Sequence, residues 1–239
     1  MAEPILLLTV GHSYVVALNR RLVREMVRAG GDRWDVRCVS PDFFHGSRDL
    51  RPVPFEQDPF DVGRVTAVPA RLTSRVHVFH YGRALEKLLR SQPWDVVHAW
   101  EEPYILAGAQ LAWHTPRNAR LVYSTYQNHA KNYPPPFKQF ERYAMRRATA
   151  WITGGQTVVD VLKSRPGYVD RPFALIPMGV DTDHFRPDPA ARDQTLRELN
   201  WTEPGAPVVG YLGRFTPEKG LSLLMNALDA CPAPWRVMF

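Results

Sequence analysis

The sequence predicts an α/β fold, a doubly wound parallel sheet, on three observations. Short apolar runs alternate with amphipathic helical stretches along most of the chain. The runs are continuously apolar instead of alternating with polar residues, as strands covered on both faces are. The segments between them are long enough for crossover helices, which parallel strands require.

Ile5 to Val10 is the first apolar run, closed by Gly11. From Val16 to Ala29 apolar residues return at Leu18, Leu22, Val23, Met26 and Val27, so a helix is expected, with Arg20, Arg21, Arg24 and Arg28 mostly on its other side. WDVRCVS (Trp34 to Ser40) is the second strand and completes a βαβ unit. Residues 41–75, rich in Pro, Asp, Phe and Arg, read as a partly irregular excursion with a strand near Val65 to Val68. Alternation resumes with a helix at about Tyr81 to Arg90, a strand at Asp95 to Trp100, a helix at about Tyr104 to Trp113 and a strand at Arg120 to Thr125. A helix at about Phe137 to Ala148, a strand at Ala150 to Gly154, a helix at Thr157 to Lys163 and a strand at Phe173 to Pro177 finish the domain.

Asp181 to Pro207 places Pro187, Pro189, Pro204, Gly205 and Pro207 around one short helical segment, which is linker composition. A strand then starts at Val208, a helix covers about Glu218 to Ala230, and WRVMF (Trp235 to Phe239) is a further strand. Two parallel strands with one crossover helix cannot cover both faces of a sheet, so the sequence is expected to be truncated inside a second α/β domain. The expected division is 1–180 for the first domain, 181–206 for the linker and 207–239 for the start of the second.

Apolar residues make up 45% of the 239 and charged residues 23%, as in globular proteins that bury a sizeable core. The formal charge of +6 rests on 25 arginines against 5 lysines, a balance that favours phosphates, whether of nucleotide, nucleic acid or anionic lipid. Nucleic acid has no other support, because no recognised module and no basic helix with interleaved aromatics is visible. Cys38 and Cys231 stand far apart without a C-x-x-C spacing, so a disulfide framework and a zinc site are not suggested and a reducing cytoplasm fits best. MAEPILLLTV lacks a basic leader and a cleavage site, which makes it a buried strand, and no apolar run approaches a membrane span.

GYLGRFTPEKG (Gly210 to Gly220) delivers a strand through Arg214 and Lys219 to a helix N-terminus, a construction suited to an anion. Together with GHSYVVALNRRLVREMVRAG, DVVHAWEEPY, ERYAMRRATAWITGGQTVVDVL and IPMGVDTDHFRP, in that order along nearly the whole chain, it resembles the retaining glycosyltransferases of family 4. The resemblance implies the GT-B fold, in which two Rossmann-like domains face each other across a cleft and the second holds most of a nucleotide sugar. It implies transfer of the sugar to an acceptor hydroxyl with retention, no bound metal, and Arg214 and Lys219 on the donor diphosphate. The family's E-x7-E segment, which grips donor sugar and ribose, would lie past Phe239, so this chain alone is expected to be inactive.

The same resemblance implies roles at the ends of the first domain's strands. Gly11 lets backbone approach the phosphates or the acceptor; His12 either takes part directly or packs at the cleft edge. Glu101 and Glu102 either meet acceptor hydroxyls or form an acidic pair at a helix N-terminus, and His98 before them reads as a core histidine. In the loop after Thr125, His129 meets the transferred sugar or its phosphate unless Gln127 or Asn128 takes that place. Met178 stands where the family has Asn, and Asp181 reads as a turn residue. The basic faces Arg20/Arg21/Arg24/Arg28 and Lys138/Arg142/Arg146/Arg147 read as solvated helix, with peripheral docking on anionic lipid at the inner membrane face as the alternative. The expected partners are a nucleotide sugar and a glycan or lipid-linked acceptor. Two rivals remain: a noncatalytic domain that binds such an acceptor, and another GT-B enzyme such as a phosphorylase or epimerase.

Overall fold

The computed structural model describes residues 3–46, 51–201, 205–232 and 234–239. β1 (Ile5–Val10) leads through two short 3-10 turns into α1 (Arg21–Gly30) and β2 (Trp34–Pro41). A small antiparallel pair, β3 (Phe43–Phe44) and β4 (Val53–Pro54), precedes β5 (Val65–Val68). There follow α2 (Gly82–Ser91), β6 (Val96–Ala99), α3 (Leu106–His114), β7 (Arg120–Ser124), α4 (Phe137–Arg147), β8 (Ala150–Thr153), α5 (Gln156–Lys163) and β9 (Phe173–Leu175). Seven strands make one parallel sheet in the order β5-β2-β1-β6-β7-β8-β9. The fold is thus the expected doubly wound, Rossmann-like α/β arrangement.

The winding order positions the site. From β1 the chain moves outward through β2 to β5, then returns to β6 on the other side of β1 and winds on to β9. The reversal lies between β1 and β6, and the C-terminal ends of the strands at such a point form the ligand crevice of open α/β sheets. Side chains along each strand alternate between two apolar layers. Leu8 and Val10 join Leu85, Leu89, Leu111, Trp151 and Leu162. Leu7, Val36 and Cys38 join Val23 of α1 on the opposite face. Each such aliphatic side chain, fully buried, contributes about 1.5–3 kcal/mol.

The helix expected from Val16 begins later. Single 3-10 turns occupy His12–Val15 and Ala17–Arg20 before α1. The cause is Arg20, whose guanidinium is fully buried and pairs with Asp61 at 2.6 and 2.9 Å. It also donates to the carbonyls of Tyr14, at 2.5 Å, and Glu56, tying down the turn where a helix would otherwise continue. Arg20 therefore does not belong to a solvated basic face. Of the other arginines of that face, Arg24 pairs with Asp58 and Arg28 with Glu25, both at 2.5 Å.

Backbone contacts divide the chain into units 1–179 and 180–239. The second unit holds α6 (Pro189–Glu198), β10 (Val208–Gly210), α7 (Leu221–Asp229) and β11 (Arg236–Met238), with β10 and β11 paired in parallel. Asp188 caps α6 by accepting the Ala191 N–H at 3.0 Å. The helix expected from Glu218 is split: a 3-10 turn spans Pro217–Lys219, and Gly220, at φ 70, adopts the left-handed conformation before α7 starts. Pro204 of the expected linker lies outside the described residues. Among the described residues no helix is long and apolar enough to cross a membrane.

Candidate active site

At the reversal, β1 and β6 each extend their ladder by one residue. Gly11 N–H donates to Val39 at 3.2 Å, and Trp100 N–H donates to Val10 at 2.8 Å. The next residues of the two strands, His12 and Glu101, then meet. The Glu101 carboxylate accepts from the His12 backbone N–H at 2.6 Å, from His12 Nδ1 at 2.7 Å and from the Tyr81 hydroxyl at 2.5 Å. With Nδ1 donating to the carboxylate, Nε2 is the ring nitrogen left outside the network. Phe44 and Phe79 hold the imidazole at centroid distances of 4.5 and 5.4 Å.

The electrostatics follow from that packing. Burial opposes a charge on His12, but the adjacent Glu101 carboxylate and its hydrogen bond outweigh burial, and the pKa rises above the ordinary 6.5. An imidazolium clamped by a carboxylate at a sheet crevice can donate from Nε2 to an oxygen-rich ligand, such as a sugar hydroxyl or a phosphate. His12 packs at the cleft edge against Phe44 and Phe79 and is held by Glu101.

Glu102 does different work. Its oxygens accept from Thr125 Oγ1 at 2.5 Å and Tyr126 N–H at 2.8 Å, strapping the end of β6 to the end of β7. Burial raises its pKa, the two hydrogen bonds pull against that, and the neighbouring Glu101 charge adds to the rise. Beneath the site, His98 is a core histidine as expected. Its Nδ1 bonds Thr9 Oγ1 and its Nε2 bonds Ser124 Oγ, both at 2.8 Å, and burial lowers its pKa to about 4.

Gly11 has extended backbone, and a Cβ there would stand 3.1 Å from Trp100 Cβ and 3.2 Å from Tyr14 Cδ2. A side chain at this position would thus be tight against Trp100 and Tyr14, which would have to give by a few tenths of an ångström. Asn128 and His129 are exposed in the loop after β7 and join neither His12 nor Glu101 through any hydrogen bond among the described residues. Gln127 donates instead to the Tyr133 hydroxyl at 2.7 Å, and Tyr133 stacks on Tyr104 at 4.1 Å. In the second unit, Arg214 and Lys219 are exposed on the segment between β10 and α7. The Tyr211 hydroxyl donates to the Arg214 carbonyl at 2.8 Å, and Lys219 ends the turn immediately before the N-terminus of α7. That placement suits an anion.

Asp181 accepts the N–H groups of Asp183 at 3.1 Å and His184 at 3.0 Å, which makes the D-T-D stretch a turn. Among the described residues no group of three or more His, Cys, Asp or Glu side chains is arranged to hold a metal ion. Sequence reasoning missed Tyr81, the third donor to Glu101. It lies 20 residues away at the start of α2, and no local pattern marks it.

Residues 15–184 match the family model described as Glycosyltransferase Family 4. The chain is 26% identical over 169 residues to the lipopolysaccharide core biosynthesis mannosyltransferase LpcC of Rhizobium leguminosarum bv. viciae, covering 69% of this chain and 46% of that protein. It is 47% identical over 55 residues to a GDP-mannose-dependent alpha-(1-6)-phosphatidylinositol monomannoside mannosyltransferase of Mycobacterium tuberculosis, covering 23% of this chain and 14% of that one. Among solved structures, Anabaena Alr3699/HepE in complex with UDP-glucose superposes with a TM-score of 0.65 at 16% identity, covering 98% of this chain and 59% of that chain, a likeness of fold. The chain therefore spans about half or less of the curated relatives it matches. The family match takes in β2 to β9 and the Glu101 turn, and the chain belongs to glycosyltransferase family 4.

Proposed function

We propose that the chain carries the acceptor-side domain, and the first βαβ of the donor-side domain, of a glycosyltransferase that moves a sugar from a nucleotide sugar to an acceptor hydroxyl with retention. The observation that carries this reading is the meeting of His12 and Glu101 at the sheet reversal, where an oxygen-rich acceptor would find a clamped imidazole. Relatives named for lipopolysaccharide core and phosphatidylinositol mannoside synthesis support a glycan or lipid-linked acceptor. Alr3699/HepE in complex with UDP-glucose supports a nucleotide-sugar donor.

In this reading Arg214 and Lys219 face the departing diphosphate, whose negative charge grows in the transition state, and fixed cations stabilise it there without a metal. The acceptor attacks from the face the diphosphate leaves, and a leaving-group oxygen takes the hydroxyl proton. His12 orients the acceptor through Nε2, Gly11 leaves the close packing beside His12 undisturbed, and Glu101, itself bonded by Tyr81, holds the imidazole. Asn128 and His129 supply further donors from the loop after β7. The work is done at the cytoplasmic side.

The test is nucleotide release from UDP-, GDP- and ADP-sugars by the product of the whole open reading frame that contains these residues. Arg214→Ala is expected to lower release on the order of a hundredfold or more. Unchanged release would remove the diphosphate role. The 239 residues by themselves are expected to release no nucleotide above background, as they contain no E-x7-E segment.

A further inference from the structure

Beneath the crevice lies a second polar layer, which the proposed chemistry leaves unused. The Tyr14 hydroxyl bonds Thr9 Oγ1, Thr9 Oγ1 bonds His98 Nδ1, and His98 Nε2 bonds Ser124 Oγ, each at 2.8 Å. None of the four side chains belongs to a residue more than 5% exposed. They come from the His12–Val15 turn and from β1, β6 and β7, so a side-chain ladder crosses three neighbouring strands. Burial alone does not account for it, since aliphatic rungs would fill the same space. What a buried hydrogen-bonded chain adds is direction and a fixed spacing.

The hydroxyl protons set that direction. Burial lowers the His98 pKa to about 4, so near neutral pH the imidazole carries one N–H. Tyr14, Thr9 and Ser124 bring one hydroxyl proton each, and the four protons serve three bonds, with one left over at an end of the chain. Tyr14 is not that end. Its hydroxyl is sealed in the core at 0% exposure with Thr9 as its partner, and a buried donor must be placed on an acceptor. Tyr14 therefore donates to Thr9, Thr9 donates to Nδ1, and the His98 N–H sits on Nε2 and donates to Ser124. The remaining proton is on Ser124, the last residue of β7, beside the Tyr126 phenol, whose burial-raised pKa the Ser124 hydroxyl pulls back.

Each rung is joined to a residue of the upper layer. Tyr14 follows His12 by two positions in one 3-10 turn, and its ring meets that of Trp100, the neighbour of Glu101, at 5.0 Å. His98 precedes Glu101 by three positions on β6, and Ser124 is followed by Thr125, which donates to Glu102 at 2.5 Å. We infer that His98 is a positioning residue: with its N–H on Nε2, it holds the ends of β1, β6 and β7 at the relative height at which His12 pairs with Glu101. A shift of any of these strand ends stretches a bond that water cannot replace. The bearing of His98 on sugar transfer rests on the transferase reading, whereas its bearing on the His12–Glu101 pair does not.

The experiment starts with long-range ¹H–¹⁵N NMR of the native chain near neutral pH, where His98 is expected as the neutral Nε2–H tautomer. An Nδ1–H tautomer or an imidazolium would overturn the inference, and no variant is needed to see either. Thr9→Val keeps the side-chain shape and removes the central hydroxyl; it should lower the His12 titration midpoint by about half a pH unit or more, roughly a threefold weaker hold on the proton. His98→Leu should do the same. A histidine that only supports the fold would lower the urea midpoint and leave the His12 midpoint in place, and that result overturns the inference. In the product of the whole open reading frame, Thr9→Val is expected to lower kcat for nucleotide release about tenfold with the donor KM unchanged, because a displaced acceptor group slows the reaction without weakening donor binding. Unchanged kcat in an active protein would overturn the inference, and a native protein that releases no nucleotide counts against the transferase reading alone.

Discussion

The His12–Glu101 pair is two adjacent strand ends expressed as one charged unit. Because the folded pKa of His12 lies above the ordinary 6.5, the pair stabilises the fold fully below that value and loses its contribution as pH rises through the folded pKa. Glu101→Gln removes the charge that outweighs burial, so His12 should then titrate below its native midpoint; ¹H–¹⁵N NMR of the imidazole reads this directly. A midpoint that does not move would mean that Glu101 is not the partner that holds the proton. His12 and Glu101 could be singled out in the sequence because each follows an apolar run. Tyr81 could not, and Arg20 pointed the wrong way. A charged residue in a helical pattern reads as solvated until the fold brings Asp61, 41 residues on, to meet it.

At the scale of the element, α3 shows how the acidic turn is held. Ala107, Gly108, Ala109, Leu111 and Ala112 are buried, so more than half of the helix surface is enclosed. A Cβ on Gly108 would lie 2.2 Å from the Glu102 carbonyl oxygen and 3.2 Å from Pro103 Cα, both backbone atoms that cannot swing aside. The Gly108 carbonyl also accepts the Tyr123 hydroxyl at 2.6 Å. Gly108→Ala is therefore expected to destabilise the protein by about 3 kcal/mol, seen as a lower urea midpoint, because helix and turn must part. Unaltered stability would mean that α3 shifts freely against the Glu101–Glu102 turn. The positions of α2 to α5 were legible from periodicity to within a residue or two. The late start of α1 was not, since it depends on a buried ion pair, and the break at Gly220 needed the backbone conformation itself.

On the scale of the whole molecule, the seven-stranded sheet of the first unit is covered by α1 on one face and by α2 to α5 on the other, so it has the layers a domain needs. Residues 1–179 expressed alone are expected to fold and to unfold in one cooperative transition by circular dichroism; a broad transition would show that this unit depends on the remainder of the chain. The sequence by itself determined the order of strands and helices, the parallel sheet and the family, because periodicity, strand apolarity and turn residues are local properties that survive without a fold. Only the tertiary structure decided that His12 and Tyr81 both bond Glu101, that Glu102 straps the ends of β6 and β7, and that Arg20 is buried against Asp61. Those facts depend on which distant carboxylates and hydroxyls the winding of the sheet brings within hydrogen-bond reach.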